Sequence, residues 1–160
     1  RVEVRAKLPF GVGTWPAIWT LGKNINENGG YWDTQGYGTT GWPACGEIDI
    51  MEHWGTNQNY VQSAIHTPSS FGGTVNLGGQ SIPTASTEFH DYTFVWTPDK
   101  LVFSVDGNIH YTYNPLVKDN TTWPFDADQY LLLNVAIQSV IDPTFTQSAM
   151  EIDYVRVYQK

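Results

Sequence analysis

Apolar and polar residues alternate with a period of two along most of the chain, and this pattern restricts the fold more than any other feature. In residues 1–8, Val, Val, Ala and Leu alternate with Arg, Glu, Arg and Lys. Such alternation is typical of a strand with one buried face. Further strand-like runs, bounded by Gly, Pro and Asn turns, occupy 92–96, 101–106, 109–113 and 150–158. No segment predicts a convincing amphipathic helix, so the sequence predicts an all-β sandwich or barrel.

Three other segments complete this organisation. The apolar run 131–137 predicts a central strand that is buried on both faces. Residues 23–41 and 68–88, rich in Gly, Asn, Ser and Thr, are predicted to be loops. Because loops of this length in a compact domain usually carry function, we expect them to form the walls of a groove.

Length and charge exclude several classes of function. The 160 residues suffice for one domain with a sizeable core, which we place at 1–160. No apolar window of about 18 residues predicts a membrane span. Eight Lys and Arg against 16 Asp and Glu give a net charge of −8, which disfavours nucleic acid, anionic membranes and sulfated polysaccharides as partners. The lone Cys45 is interpreted as a packing residue.

The run from Glu47 to Glu52 carries three carboxylates in an otherwise apolar, strand-like segment. Strict alternation would place Glu47 and Asp49 on one face and turn Glu52 away. One extra residue, a β-bulge at Ile50 and Met51, would bring Glu52 back to the acidic face. Like charges this close raise pKa values, and one ionised carboxyl beside one protonated carboxyl is the equipment of a glycosidase. An exposed acidic strand edge and a hard-cation site built from oxygens are the alternatives.

Tryptophans surround this acidic run. Trp15 and Trp19 are four residues apart and share a face on a straight strand, while Trp42 and Trp54 flank the run. Flat indole faces stack on the C–H faces of pyranose rings, so these four side chains are predicted sugar platforms. Burial in the core is the alternative for each of them.

Several of these motifs together resemble glycoside hydrolase family 16, and most closely its laminarinases, the endo-β-1,3-glucanases. The resemblance rests on Glu47-x-Asp49-x-x-Glu52, on 1–9, 15–19 and 123–126, and on the tail 152–158. It implies a β-jelly-roll of two curved antiparallel sheets with a substrate groove on the concave face. The extra residue before the second Glu is typical of the laminarinase-like branch and absent from lichenase-like members.

The resemblance also implies roles for individual residues. Glu47 would be the nucleophile, Glu52 the general acid and then base, and Asp49 a hydrogen-bonding partner of Glu47. The implied substrate-binding residues are Trp15, Trp19, Trp42, Trp54, His66, Asn134 and Gln138. For His66 a hydrogen-bonded core histidine is the alternative, and relatives often carry glycines where Gln138 stands. Asp153 matches a family position that commonly binds a structural calcium ion, and catalysis itself requires no cofactor.

The sequence therefore predicts a secreted or cell-surface, monomeric, retaining endo-hydrolase of neutral β-1,3-glucan. The same fold acting on lichenan, agar or carrageenan, or a lectin-like module that binds sugars without cutting them, are the alternatives. Arg1 already reads as mid-strand, whereas the family's domains carry further strands upstream. The chain thus resembles the C-terminal two-thirds of a catalytic domain, and we expect an unpaired edge and an uncovered core face.

Overall fold

The computed structural model describes residues 1–159, which form two antiparallel β-sheets of five strands each. The strands are β1 Val2–Lys7, β2 Thr14–Gly22, β3 Glu47–His53, β4 Tyr60–His66, β5 Leu77–Ser81, β6 His90–Trp96, β7 Leu101–Val105, β8 Asn108–Tyr113, β9 Gln129–Ile137 and β10 Glu151–Val157. One short helix, α1 (Tyr31–Thr34), and a 3₁₀ turn at Gly55–Asn57 are the helical elements of this described region. None of its helices has the length and hydropathy needed to cross a membrane.

The two sheets pack face to face. One sheet, here called the site sheet, has the strand order β5-β4-β3-β2-β9, and the other, the back sheet, has the order β10-β1-β6-β7-β8. Inward-pointing residues of both sheets form one core, in which Ile18 and Ile48 of the site sheet meet Phe94 and Phe103 of the back sheet. The rings of Phe94 and Phe103 stack with centroids 5.2 Å apart. The period-two alternation thus turns one face of the site sheet into the core and leaves the other for polar side chains.

β9 differs from the central, doubly buried strand that its apolar run predicted. Among the described residues it pairs with β2 alone, so it is an edge strand of the site sheet. Its inward-pointing Ile137 is 59% exposed, and Val157, inward-pointing on the edge strand β10 of the back sheet, is 64% exposed. Periodicity alone does not distinguish a doubly buried strand from an apolar edge. β9 and β10 are therefore edge strands whose core-facing apolar side chains are exposed. This agrees with the unpaired edge and uncovered core face expected from the sequence.

β5 is a second correction, because it lies inside the predicted loop 68–88. Its sequence, Leu-Gly-Gly-Gln-Ser, lacks the β-branched and aromatic residues that predict strands. The strand forms because its backbone pairs with β4 in regular antiparallel register. Tertiary pairing thus overrides a weak local preference.

Candidate active site

A β-bulge in β3 brings the three carboxylates onto one face of the site sheet. Asp49 pairs with Ala64 of β4 and Glu52 pairs with Gln62, so Ile50 and Met51 together oppose one residue. The same extra residue interrupts the pairing of β3 with β2. Ile50 and Met51 both point into the core, being 2% and 1% exposed. The bulge predicted from the sequence is therefore confirmed, and Glu52 lies on the same face as Asp49.

The residues before β3 set where the acidic strand begins. Gly46 has φ of 76°, and a Cβ atom there would lie 2.9 Å from the ring of Phe125. Glycine is therefore required for this turn into Glu47. Cys45 is fully buried, and burial raises the pKa of its thiol to about 11. Its burial in the small apolar cluster with Leu21 and Ile25 supports the interpretation of Cys45 as a packing residue.

Each glutamate of the acidic face accepts a hydrogen bond from a tryptophan. The indole N–H of Trp42 donates to Oε2 of Glu47 across 2.7 Å. The indole N–H of Trp15 donates to Oε1 of Glu52 across 3.2 Å. Both donors fix the orientation of a partly buried carboxyl group, so two of the predicted sugar platforms also position the predicted catalytic residues.

His66 lies beside the carboxylates on β4, directly opposite Glu47 in the strand register. Its Nε2 is 3.2 Å from Oδ2 of Asp49 and 3.8 Å from Oε1 of Glu47. The backbone N–H of Gly72 donates to Nδ1 across 3.1 Å, so the neutral ring carries its proton on Nε2, toward the acids. Burial lowers the pKa of His66. The hydrogen bond and charge of Asp49, together with the charges of Glu47 and Glu52, have the larger effect, so the pKa of His66 is raised overall. His66 is thus a buried, hydrogen-bonded histidine that also contacts the acidic cluster, and its contact with substrate stays a prediction.

Burial and mutual repulsion keep protons on this cluster. Desolvation and then the charge of Asp49 raise the pKa of Glu47 and of Glu52, each from 4.5 to about 7. Desolvation also raises the pKa of Asp49. The buried Oδ2 of Asp49 makes no well-aligned hydrogen bond within residues 1–159, although Nε2 of His66 lies 3.2 Å away. Near neutral pH the cluster can therefore present one ionised and one protonated glutamate together.

Within the described part of the chain, one group of three side chains could hold a metal ion. Ligand atoms of Glu47, Asp49 and His66 lie within 4.8 Å of one another. Because one ligand is an imidazole nitrogen, the set suits a transition metal better than calcium, which prefers oxygens. The all-oxygen cation site considered from the sequence is therefore not what this cluster provides.

The remaining predicted platforms line the same face. Trp54 stacks on Trp15 with ring centroids 5.9 Å apart. Trp19 donates its indole N–H to Oδ1 of Asn134 across 2.7 Å, so the predicted Asn134 lies on this face beside β2. Gln138 follows β9 and bonds through its backbone N–H to Gly13, and its side-chain Oε1 is buried without a partner within residues 1–159. Its contact with substrate stays a prediction.

Phe71 is a candidate site residue that sequence reasoning missed. Its ring packs edge-on against Trp42 with centroids 5.4 Å apart, and more than half of its surface is exposed. It lies in the segment 68–88, next to the Gly72 that bonds His66. A lone aromatic residue in a Gly- and Ser-rich loop is the signal that would have identified it.

The predicted calcium ligand Asp153 has a different partner. Its Oδ2 lies 3.4 Å from Nε of Arg5, which also contacts Asp91. A guanidinium in this position competes with a cation for the carboxylate. The described residues at this place therefore do not fit a calcium ion.

Both the sequence and the fold match known proteins. Residues 1–156 match the model of Glycosyl hydrolases family 16. A beta-glucanase from Rhodothermus marinus is 40% identical over 99% of this chain and 57% of its own length. A keratan-sulfate endo-1,4-beta-galactosidase from Sphingobacterium multivorum is 36% identical over 99% of this chain and 36% of its own length. The solved structure of a laminarinase from Flavobacterium sp. UMI-01 has a TM-score of 0.88 at 40% identity, covering 99% of this chain and 66% of that chain.

These likenesses cover nearly all of this chain but only part of each relative. The chain spans 57% of the beta-glucanase and 66% of the laminarinase. The shared fold confirms the predicted jelly-roll of two antiparallel sheets. With the family model matched from residue 1 to residue 156, the chain belongs to glycosyl hydrolases family 16.

Proposed function

We propose that this protein hydrolyses β-1,3-glucosidic bonds within neutral β-glucan and retains the anomeric configuration. The observation that carries the proposal is the bulged strand β3, which presents Glu47, Asp49 and Glu52 on one face with an indole donor on each glutamate. Family membership and the likeness to a laminarinase support the same reaction. Since the chain spans only part of those relatives, the activity is proposed for the protein that contains these residues.

In the first step, the ionised carboxylate of Glu47 attacks the anomeric carbon while Glu52 donates its proton to the glycosidic oxygen. The C–O bond to the leaving sugar breaks, and a covalent ester joins the remaining sugar to Glu47. In the second step, Glu52 removes a proton from water, which attacks the anomeric carbon. Glu47 leaves as a carboxylate, Glu52 is again protonated, and two inversions give net retention.

The position of His66 supports this division of roles. It lies 3.8 Å from Glu47, and its Nε2 faces the acids and lowers the pKa of the group that must ionise. Asp49 lies between the two glutamates along the strand, and its charge raises the pKa of both. A proton shared between Asp49 and Glu47 would keep the nucleophile ready without adding a second full charge.

The substrate class follows from the charge and the aromatic residues of this face. The ionised carboxyl groups of this acidic cluster repel a sulfated chain, whereas Trp15, Trp42 and Trp54 offer apolar ring surfaces for uncharged pyranose units. We therefore favour β-1,3-glucan of the laminarin type as the partner, with no cofactor in catalysis. A secreted or cell-surface location fits a polymer of this kind, and a monomer is the expected state.

The test is the release of reducing ends from laminarin, lichenan, agarose and κ-carrageenan, with the anomeric configuration of the first product read by ¹H NMR. We expect laminarin to be cut fastest and the β-anomer to appear first. The Glu47→Gln variant, which keeps the shape of the side chain, is the matched control for contaminating activity. Binding of laminarin without release of sugar by the wild type would instead support the lectin-like alternative.

A further inference from the structure

Two β-bulges face one another across the core, one beneath the acidic face and one on the back sheet. The bulge in β3 places Ile50 and Met51 opposite a single residue of β4, Ser63. In β8, Tyr111 pairs with Phe103 and Ile109 pairs with Ser104, which leaves His110 as the extra residue. A bulge re-aims the side chain that it contains. Here the bulge directs the side chain of His110 to Ser63 of β4, the strand that pairs with β3.

A chain of hydrogen bonds joins the two bulges. The hydroxyl of Ser63 donates to the carbonyl oxygen of Ile50 across 2.7 Å. That hydroxyl has one proton, so Nε2–H of His110, 2.8 Å away, must donate to Ser63 Oγ. Nδ1 of His110 then accepts from the side-chain amide of Gln80 across 3.1 Å. Burial lowers the pKa of His110 to about 4, which agrees with the neutral ring that this chain requires.

The strand between the two bulges is shaped to allow this contact. Gly78 of β5 lies opposite Ser63 in the register, and a Cβ atom at Gly78 would lie 2.9 Å from the carbonyl oxygen of His110. Glycine therefore lets β8 approach β5 closely. Gln80 of the same strand also donates to the carbonyl oxygen of Asn108, which holds the start of β8.

The bulge carbonyl needs this partner. A bulge interrupts the ladder, and an unpaired carbonyl in a buried site costs about 1–3 kcal/mol. Ser63 is 0% exposed, so its bond to the Ile50 carbonyl is shielded from bulk solvent. Without the bond from Ser63 to the Ile50 carbonyl, β3 is held less strongly in its bulged register. If the pairing of β3 with β4 shifts by one residue, Glu52 turns away from the acidic face.

We propose that Ser63 and His110 are positioning residues that hold the β3 bulge and thereby keep Glu52 aligned as the proton donor. The inference rests on the proposed hydrolysis, because it concerns the same carboxyl group. Neither side chain touches the substrate face, since the Ser63 hydroxyl points into the core toward the Ile50 carbonyl and His110 lies on β8 of the back sheet. Their effect on the reaction passes through the geometry of Glu52.

The kinetic test uses Ser63→Ala and His110→Phe with two substrates. On laminarin, whose sugar leaving group needs a proton, kcat should fall roughly 10- to 100-fold, because a misplaced acid loses most of its effect. On an activated aryl β-laminaribioside, which needs little acid help, the first step should stay within about threefold. Thr84→Val, which removes a hydroxyl from a similar pair with His90, is the matched control and should leave both rates within about twofold.

A second measurement works without turnover. In protein labelled with ¹³C at the glutamate carboxyls, with Glu52→Gln to assign the resonance, Glu52 should titrate near 7 in the wild type. In Ser63→Ala it should titrate nearer the ordinary value of 4.5, since a relaxed bulge exposes the carboxyl to water. An unchanged Glu52 titration in both variants overturns the inference, as do equal losses on both substrates. A wild type that cuts neither substrate refutes the proposed function alone, because the titration still decides whether Ser63 positions Glu52.

Discussion

Trp42 donates its indole N–H to Oε2 of Glu47 across 2.7 Å, from the segment that leads into β3. The sequence predicted this side chain as a sugar platform, and the structure adds a second task. A hydrogen bond donated to a carboxylate stabilises its ionised form, so Trp42 lowers the pKa that burial raises. The residue that is predicted to contact sugar thus also tunes the proposed nucleophile.

Trp42→Phe removes the N–H donor but keeps an aromatic ring. We expect the pKa of Glu47 to rise, so the acidic limb of the pH profile of kcat/KM should move to higher pH. The loss of kcat/KM should be roughly fivefold to tenfold for one hydrogen bond of about 1 kcal/mol. Trp96→Phe, at the end of β6 in the back sheet, is the matched control. A lower kcat/KM with an unshifted acidic limb would show that Trp42 serves binding alone.

Glu47→Ala should leave a folded, sugar-binding protein with almost no turnover, because the ionised nucleophile is missing. The expected residual activity is below about 1%, given the 10²–10⁴-fold worth of such groups. Added azide should partly restore cleavage of an activated aryl glycoside from the vacated space. The product is then a glycosyl azide of inverted configuration, identified by NMR. A variant that retains substantial activity without azide would contradict the assignment of Glu47.

Glu52→Gln should change the dependence of stability on pH. The folded-state pKa of Glu52 is raised from 4.5 to about 7 by burial and by Asp49, so the folded state holds this proton more tightly than the unfolded state. That contribution is present below pH 4.5 and is lost as pH rises through about 7. Neutral Gln still accepts from Trp15 and avoids this loss.

At pH 8 the variant should therefore be more stable than the wild type by about 1–3 kcal/mol, or roughly 2–4 °C in Tm for each kcal/mol. The difference should vanish near pH 4. Calorimetric melting curves across this range are the measurement, with the exposed Glu88→Gln as control. A variant that is less stable than the wild type at pH 8 would show that the charged carboxyl is not penalised by burial.

Some strands and site residues could be predicted from the sequence, and others could not. Alternation was enough to predict β1, because each of its polar residues faces outward. The position of Glu52 was predicted because the motif makes chemical sense only with one extra residue in β3. The prediction of β9 as a central strand is wrong, because an apolar run has the same pattern in an edge strand as in a central strand of a sheet. The bond between Ser63 and His110 joins residues 47 apart in sequence, and no local pattern carries such a contact.

The tryptophans provide a test that separates binding from packing. Trp19→Ala should weaken the binding of laminarin oligosaccharides by about 1 kcal/mol, or roughly fivefold, if its ring is a platform. Trp15→Ala should weaken binding similarly and also lower kcat, because its N–H holds Glu52. Truncation of a core indole would instead cost about 3–5 kcal/mol of stability. Calorimetric titration on the Glu47→Ala background measures binding, melting curves of each variant measure stability, and turnover of laminarin by the Trp15→Ala single variant measures kcat.

Selectivity for neutral glucan over sulfated polysaccharides should follow from the distribution of charge. Arg1, Arg5, Lys7 and Lys23 each form an ion pair with a carboxylate, which leaves them partly neutralised. The acidic face carries three carboxyl groups on one strand. A sulfated chain must approach these groups, and no Lys or Arg lies within the acidic run or the Trp15–Trp19 segment to receive it.

Laminarin should therefore be hydrolysed faster than lichenan, and κ-carrageenan least, at both low and moderate salt. The repulsion should be strongest at about 0.01 M salt, where the Debye length is about 30 Å, and weaker at about 0.15 M, where it is about 8 Å. The similarity to a keratan-sulfate galactosidase makes a sulfated substrate the critical comparison. Faster cleavage of κ-carrageenan than of laminarin at either salt concentration would refute the charge argument, because repulsion by Glu47, Asp49 and Glu52 would then not govern which polymer enters the site.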